Sequence, residues 1–406
     1  MSRLHRADWV LPIDAPPIRD GWVEVDRGRI IDVGSAPRTT NLESRTKNNE
    51  RRTVVLPGLV NAHTHLELSW MQGRVPPGDA MPSWAARLIA ERGEGERSCP
   101  VEQRRQAIVR AIEAVRASGT ALVGDVTNSL EAWTPLAESE LSAAVFYELL
   151  GFRTSDPAGL VQTAKQRLSA LPTREQLRPV AVPHAPYSVS PGLFRALGAA
   201  ADGAPMSVHL GESVEEVRFL RDGTGPWRDL LERIGAWRPD WAVPACGPVE
   251  YMARLGLLNE RLIAVHGVQL SDSELEELAN VGATVVACPR SNRWTGAGTP
   301  PVARFFDSGV RIAIGTDSLA SVEDLNMFNE LAEVRRLAPR VPARALLKSA
   351  TLDGATALGF GSEFGSISLG KRAELLLVQI PADVADVEEY MVGGIDAADV
   401  EWLKAD

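Results

Sequence analysis

Five of the six histidines in this chain lie at the ends of short apolar runs, and so does one aspartate. His63 and His65 end V-V-L-P-G-L-V-N-A-H-T-H, and His184 ends V-A-V-P-H. His209 falls in M-S-V-H-L, His266 ends L-I-A-V-H, and Asp317 ends V-R-I-A-I-G-T-D. On an extended strand residues i and i+2 point to the same side, so the imidazoles of His63 and His65 can grip one cation together. His209 adds a third nitrogen donor. Asp317 adds an oxygen donor in an apolar setting, where a buried carboxylate is costly unless something positive compensates it. Three histidines and an aspartate suit a divalent ion, zinc first and iron(II) second. Bridged two-metal sites commonly use a carbamylated lysine on a middle strand. The five lysines (Lys47, Lys165, Lys348, Lys371 and Lys404) fall on none of these runs, which favours a single ion.

Hydrolysis at such an ion needs a proton carrier. Glu212 follows His209 in H-L-G-E, where the strand has just ended, so its carboxylate can lean toward the ion without ligating it. Metal-bound water falls to a pKa of about 7, and an adjacent glutamate can take its proton and later return it to the leaving group. His266, alone on its strand, can stabilise that water or a tetrahedral intermediate by hydrogen bonding.

These residues meet only if the runs converge. Eight near-continuous apolar runs of strand length lie between Val54 and Asp317, separated by helical patterns. Such runs imply a parallel sheet buried on both faces. Eight of them predict an α/β fold of the (β/α)8 TIM barrel type, whose strand ends share one mouth. An open doubly wound sheet is the second choice, but no G-x-G-x-x-G follows a strand. The segment before Val54 and the segment after about 360 read as short alternating strands that can pair with each other. The expected organisation is therefore residues 1–53 as the first part of a small β-sandwich, 54–360 as the barrel, and 361–406 as its second part. A polar stretch over about 35–52 reads as loop. Insertions at 71–100, 213–255 and 290–303 would lie on the mouth side. The second carries Trp227, Trp237 and Trp241, expected to be exposed, either as a lid or as the contact of a homodimer.

The 406 residues are 45% hydrophobic and 24% charged, an ordinary globular composition. No run is long and apolar enough to span a membrane, and the N-terminus has no signal-peptide pattern. The net charge of −10 argues against nucleic-acid partners. Three scattered cysteines without a C-x-x-C pair fit a reducing cytoplasm. No H-E-x-x-H of zinc peptidases and no P-C-x-x-C of the zinc cytidine deaminases occurs.

Six ordered motifs, P-G-L-V-N-A-H-T-H-L, H-A-P-Y-S, H-L-G-E, A-V-H-G-V, C-P-R-S-N and G-T-D-S, resemble the amidohydrolase superfamily. The similarity is to its branch of cytosine-, guanine-, S-adenosylhomocysteine- and s-triazine-processing aminohydrolases. The opening D-W-V-L-P and G-R-I-I-D-V-G and the closing L-G-K-R-A-E-L-L-L-V resemble the composite sandwich of that family. Glu374 stands where the family usually carries Asp. The resemblance implies one Zn2+ or Fe2+ on His63, His65, His209 and Asp317. It also implies Glu212 as proton shuttle, His266 as partner of the hydrolytic water, a share for Asp317 in moving that water's proton, and His184 as a substrate contact. Glu67, Glu148 and Arg290 are further pocket candidates, with Arg290 able to hold a carboxylate bidentately. The substrate expected is a small heterocyclic amine or nucleoside. An adenine-type nucleoside such as 6-amino-6-deoxyfutalosine leads, with S-adenosylhomocysteine and methylthioadenosine beside it. Guanine or cytosine deamination and triazine dechlorination on the same machinery are alternatives, and an inactive barrel scaffold is the remote one.

Overall fold

A computed structural model describes residues 2–35 and 51–404. The expected polar loop lies mostly at 36–50, outside the described residues. Fourteen strands occur among the described residues: β1 (Arg3–Val10), β2 (Ile18–Asp26), β3 (Arg29–Ser35), β4 (Arg51–Pro57), β5 (Leu59–Thr64), β6 (Thr120–Thr127), β7 (Ser142–Leu149), β8 (Leu177–Pro183), β9 (Met206–Leu210), β10 (Leu262–His266), β11 (Thr284–Ala287), β12 (Arg311–Ile314), β13 (Leu375–Pro381) and β14 (Val400–Trp402).

The eight apolar runs become β5 to β12, in two parallel four-stranded sheets ordered β5-β6-β7-β8 and β9-β10-β11-β12. Every residue of β6 and β7 is buried, as a strand covered on both faces requires. The two sheets meet on both sides. Thr64 bridges Asp317 in parallel register, and the Asp317 amide donates to the His63 carbonyl at 3.0 Å. On the other side, the His209 amide donates to the His184 carbonyl at 2.9 Å. Val60, Leu122, Phe146, Val182, Val265 and Val286 share one apolar core that both sheets supply.

The two ends of the chain join in a third, mixed sheet ordered β14-β13-β4-β1-β2-β3. The first apolar run is thus two strands. β4 pairs with β13 and β1, then the chain passes into β5 at Pro57-Gly58. A Cβ at position 58 would sit 2.6 Å from the Ala121 Cβ and 2.8 Å from the Trp402 ring, so only glycine fits that crossing. Glu374 beside the crossing pairs with Arg116 at 2.8 Å.

The insertions fold on the C-terminal side of the parallel strands. They supply the helices Met81–Ser98, Val214–Asp222, Pro226–Arg233, Pro248–Arg254 and Pro289–Thr295. The tryptophans are not exposed as expected. Trp227 stacks on Tyr187 with centroids 3.7 Å apart, and Trp241 stacks on Phe219 at 4.7 Å. With Leu68, Met71, Trp84 and Phe152 they form one buried cluster, and Trp237 packs against it. Their apolar area is used inside the chain, which removes it as free contact surface. No helix among the described residues is long and apolar enough to cross a membrane.

Candidate metal centre

Strand ends supply the site. β5 carries His63, and His65 follows at the start of the short helix Leu66–Met71. β9 and β10 are neighbours, with His209 in register with Val265 beside His266. Asp317 follows β12 and reaches back to β5 through the backbone pairing described above. His266 and Asp317 both have left-handed backbone, with φ of 76° and 62°. Such conformations are costly for residues other than glycine and gather at functional sites.

Three donor groups have their atoms within 4.8 Å of one another: His63, His65 and His209; His63, His266 and Asp317; and His209, Glu212 and His266. Asp317 Oδ1 is 3.6 Å from His65 Nε2 and 4.0 Å from His63 Nε2. His266 Nε2 is 3.0 Å from His209 Nδ1 and 3.6 Å from Glu212 Oε1. Both ring nitrogens of His63 and Glu212 Oε2 are buried without a hydrogen-bond partner. Buried polar atoms rarely stay orphaned, and a set of converging imidazoles and carboxylates fits a cation at their centre.

The electrostatics agree with that fit. Burial, then the neighbouring imidazoles, push His63 and His266 well below the ordinary histidine value. Both rings are thus neutral, with a lone pair to offer. Burial works to lower His209 as well, but Glu148, Glu212 and Asp317 push it up to about 9. A pocket that charges an imidazole in this way calls for positive charge. Burial raises the Glu212 carboxyl to about 8, against His209 and helped by Asp317 and Glu216.

A fourth triad adjoins these: Glu148, His184 and His209 also lie within 4.8 Å. Glu148 Oε1 is 3.3 Å from His209 Nε2, and Asn128 Nδ2 donates to Glu148 Oε2 at 3.0 Å. Burial works to raise the Glu148 carboxyl, but His184 and His209 hold it well below the usual range. Burial lowers His184 to about 4, and its Nδ1 meets Ser188 Oγ at 2.5 Å. The structure thus gathers His63, His65, His184, His209, His266, Glu148, Glu212 and Asp317.

Two expected pocket residues are differently employed. Glu67 accepts from Arg92, Thr127 and Ser129 side chains and from the Asn128 and Ser129 amides. Arg290 binds Glu330 through its amide and Nε, the Asp324 carboxylate through Nη1 at 3.0 Å and the Asp324 carbonyl through Nη2 at 2.9 Å. The bidentate carboxylate site expected of Arg290 is therefore filled by the protein's own side chains.

Three contributors escaped the sequence reading. Glu216 accepts from the Gly211 and Glu212 amides at 2.8 and 3.0 Å and so fixes the H-L-G-E turn. Its sequence signal was Ser213 followed by Glu216, the spacing of a capping box. Ser291 donates to Asp317 Oδ2 at 2.6 Å, and Asn292 Nδ2 lies 3.0 Å from His266 Nδ1.

A family model described as the amidohydrolase family matches residues 54–395. A 5-methylthioadenosine/S-adenosylhomocysteine deaminase of Halobacterium salinarum is 32% identical, covering 90% of this chain and 81% of that protein. An aminodeoxyfutalosine deaminase of Deinococcus radiodurans is 31% identical, covering 77% and 75%. Among solved structures, a zinc-bound adenosine deaminase of Xanthomonas campestris superposes with a TM-score of 0.79 at 27% identity, covering 99% of this chain and 91% of that one.

Proposed function

The chain belongs to the amidohydrolase family, and from that premise we propose that it hydrolyses a carbon–nitrogen bond, deaminating an adenine-type nucleoside with one bound zinc ion. The single observation that carries this reading is the meeting of His63, His65, His209 and Asp317 with Glu212, whose buried Oε2 has no partner. Relatives named for adenine nucleosides support the substrate class. Zinc is preferred over iron(II) because a structural neighbour is described with it bound. In this reading residues 54–360 form one closed (β/α)8 barrel, supported by the backbone links at both seams between the four-stranded sheets. The six-stranded sheet is read as the composite β-sandwich of residues 1–53 and 361–406, which β4 carries on to Pro57 before the chain enters the barrel at β5. The setting is read as cytoplasmic, in keeping with the unpaired Cys99, Cys246 and Cys288.

An ion held by His63, His65, His209 and Asp317 would supply Lewis acidity, lowering the pKa of water toward about 7. The residues do the rest. Glu212 takes the proton of the attacking water and passes it to the purine, so that the exocyclic nitrogen leaves as ammonia and the ring keeps the water oxygen. His266 Nε2, on the same side as Glu212, stabilises the negative charge that develops on that oxygen. Glu148 and His184 form the neighbouring wall and contact the nucleoside. Arg290 is engaged elsewhere and gives no preference for a benzoate over a thioether substituent, so methylthioadenosine and S-adenosylhomocysteine stand level with aminodeoxyfutalosine.

The test is a panel of those three nucleosides with adenosine, guanine, cytosine and a chlorinated triazine, on protein of measured zinc content. Ammonia release together with the ultraviolet shift from adenine to hypoxanthine, confined to the adenine nucleosides, is the expected result. Turnover of guanine, cytosine or the triazine alone would overturn the purine-nucleoside assignment.

A further inference from the structure

The C-P-R-S-N turn ties two of the residues above to a distant helix. Ser291 and Asn292 are completely buried in the helix Pro289–Thr295, which starts directly after β11. Arg290, between them and the strand, reaches the other way, to Glu330 in the helix Met327–Leu337 and to Asp324 before it. Glu330 is also completely buried.

We propose that Ser291 and Asn292 are positioning residues for the deamination site, Ser291 fixing Asp317 as a one-oxygen donor and Asn292 fixing the proton of His266 on Nε2. The proposal rests on the function read above. Asp317 has two oxygens. Oδ2 accepts from Ser291, which leaves Oδ1 as the oxygen directed at His63 and His65. The Ser291 hydroxyl is itself steadied by Ser321 Oγ at 2.9 Å. A neutral imidazole carries one proton, and the nitrogen that accepts a hydrogen bond is the one without it. A zinc-ligating His209 is neutral and can accept, and the Asn292 amide donates to His266 Nδ1, so the His266 proton sits on Nε2, the nitrogen facing Glu212 and His209. The opposite tautomer would aim a lone pair at the developing negative charge and would repel it.

The backbone explains why such restraint is needed. His266 and Asp317 both sit at strand ends in left-handed conformations that are costly for residues other than glycine. One turn restrains both side chains, and Arg290 anchors that turn. This assigns Arg290 a reason for its burial that a substrate contact would not give. Groups that orient metal ligands and their neighbours typically change metal affinity or activity by about 10- to 100-fold when lost.

The experiment uses full-length protein labelled with 15N-histidine, metal-free and zinc-loaded, where six histidines keep the spectrum readable. Zinc-loaded wild type is expected to show His266 protonated on Nε2. Asn292→Ala should mix the tautomers and lower kcat by about 10- to 100-fold with KM nearly unchanged. Asn292→Asp, close in shape but able only to accept, should drive the proton to Nδ1. Ser291→Ala should weaken zinc in chelator competition by about 10- to 100-fold. An unchanged His266 tautomer in both Asn292 variants, or unchanged zinc affinity in Ser291→Ala, in protein with wild-type thermal unfolding, overturns the corresponding half. Wild type inert on every nucleoside would sink the function while the tautomer and zinc measurements still judge the positioning.

Discussion

Glu67 and Glu212 are both buried glutamates near the ends of parallel strands, and their surroundings are opposite. Glu67 sits among donors from Arg92, Thr127, Asn128 and Ser129, with bonds as short as 2.6 Å. Burial works to raise its carboxyl, yet Arg92, Ser129 and Thr127 hold it below the ordinary value of 4.5. Glu212 lies among His209, His266 and Asp317 with one oxygen orphaned, and its carboxyl rises to about 8. A satisfied buried charge fixes structure, because every lone pair has a partner to lose. An unsatisfied one stays protonated near neutrality, and a cation held beside it would free it to accept and release a proton, as general acid–base chemistry requires. The same contrast separates Arg290, bound on every side, from His63, whose ring nitrogens have no hydrogen-bond partner.

The contrast breaks most completely if the orphaned set does not hold an ion. His63→Ala and Asp317→Ala should each strip zinc to near background in elemental analysis after desalting, with the loss of all turnover. Full zinc occupancy in either variant would remove that residue from the ligand set. Next in size, Glu212→Gln should keep its zinc and lose at least about 100-fold in kcat. Near-normal turnover there would mean that the orphaned carboxylate is not the proton carrier, and the distinction drawn between the two glutamates would fail on its functional side.

The parallel strands were legible because burial on both faces writes itself as a continuous apolar run; seven of the eight runs became β6 to β12, and the first became β4 and β5. The histidines were legible because parallel strands bring their ends together, whatever the sequence distance between them. Other features left no such mark. The passage from β4 to β5 lies within an unbroken apolar stretch, and only Gly58 betrays a change of sheet. The tryptophans of the long insertion were expected outside and are packed inside, because nothing local says which way a loop folds. Arg290 was misjudged for a related reason. Its partners Asp324 and Glu330 are distant in sequence, and an arginine that binds its own protein looks identical in sequence to one that binds a ligand. Glu216 was within reach, since Ser213 with Glu216 is a helix-start pattern that local reasoning can read.

The smallest effect tests the structural half of the contrast. Glu67→Gln keeps the shape of the side chain and removes the charge that Arg92, Thr127 and Ser129 surround. It should lower the unfolding free energy by roughly 3 kcal/mol at neutral pH, the scale for breaking a buried, hydrogen-bonded charge pair. The pH dependence fixes the cause. A carboxylate whose folded pKa is depressed binds fewer protons in the native state than in the unfolded state, so its contribution is fully present above the unfolded value of 4.5 and fades as pH falls through the lower folded value. The gap between wild type and Glu67→Gln, measured by urea unfolding, should therefore be widest near neutrality and close in acid. A gap that stayed constant with pH would assign the loss to packing, and Glu67 would then no longer stand as the satisfied counterpart of Glu212.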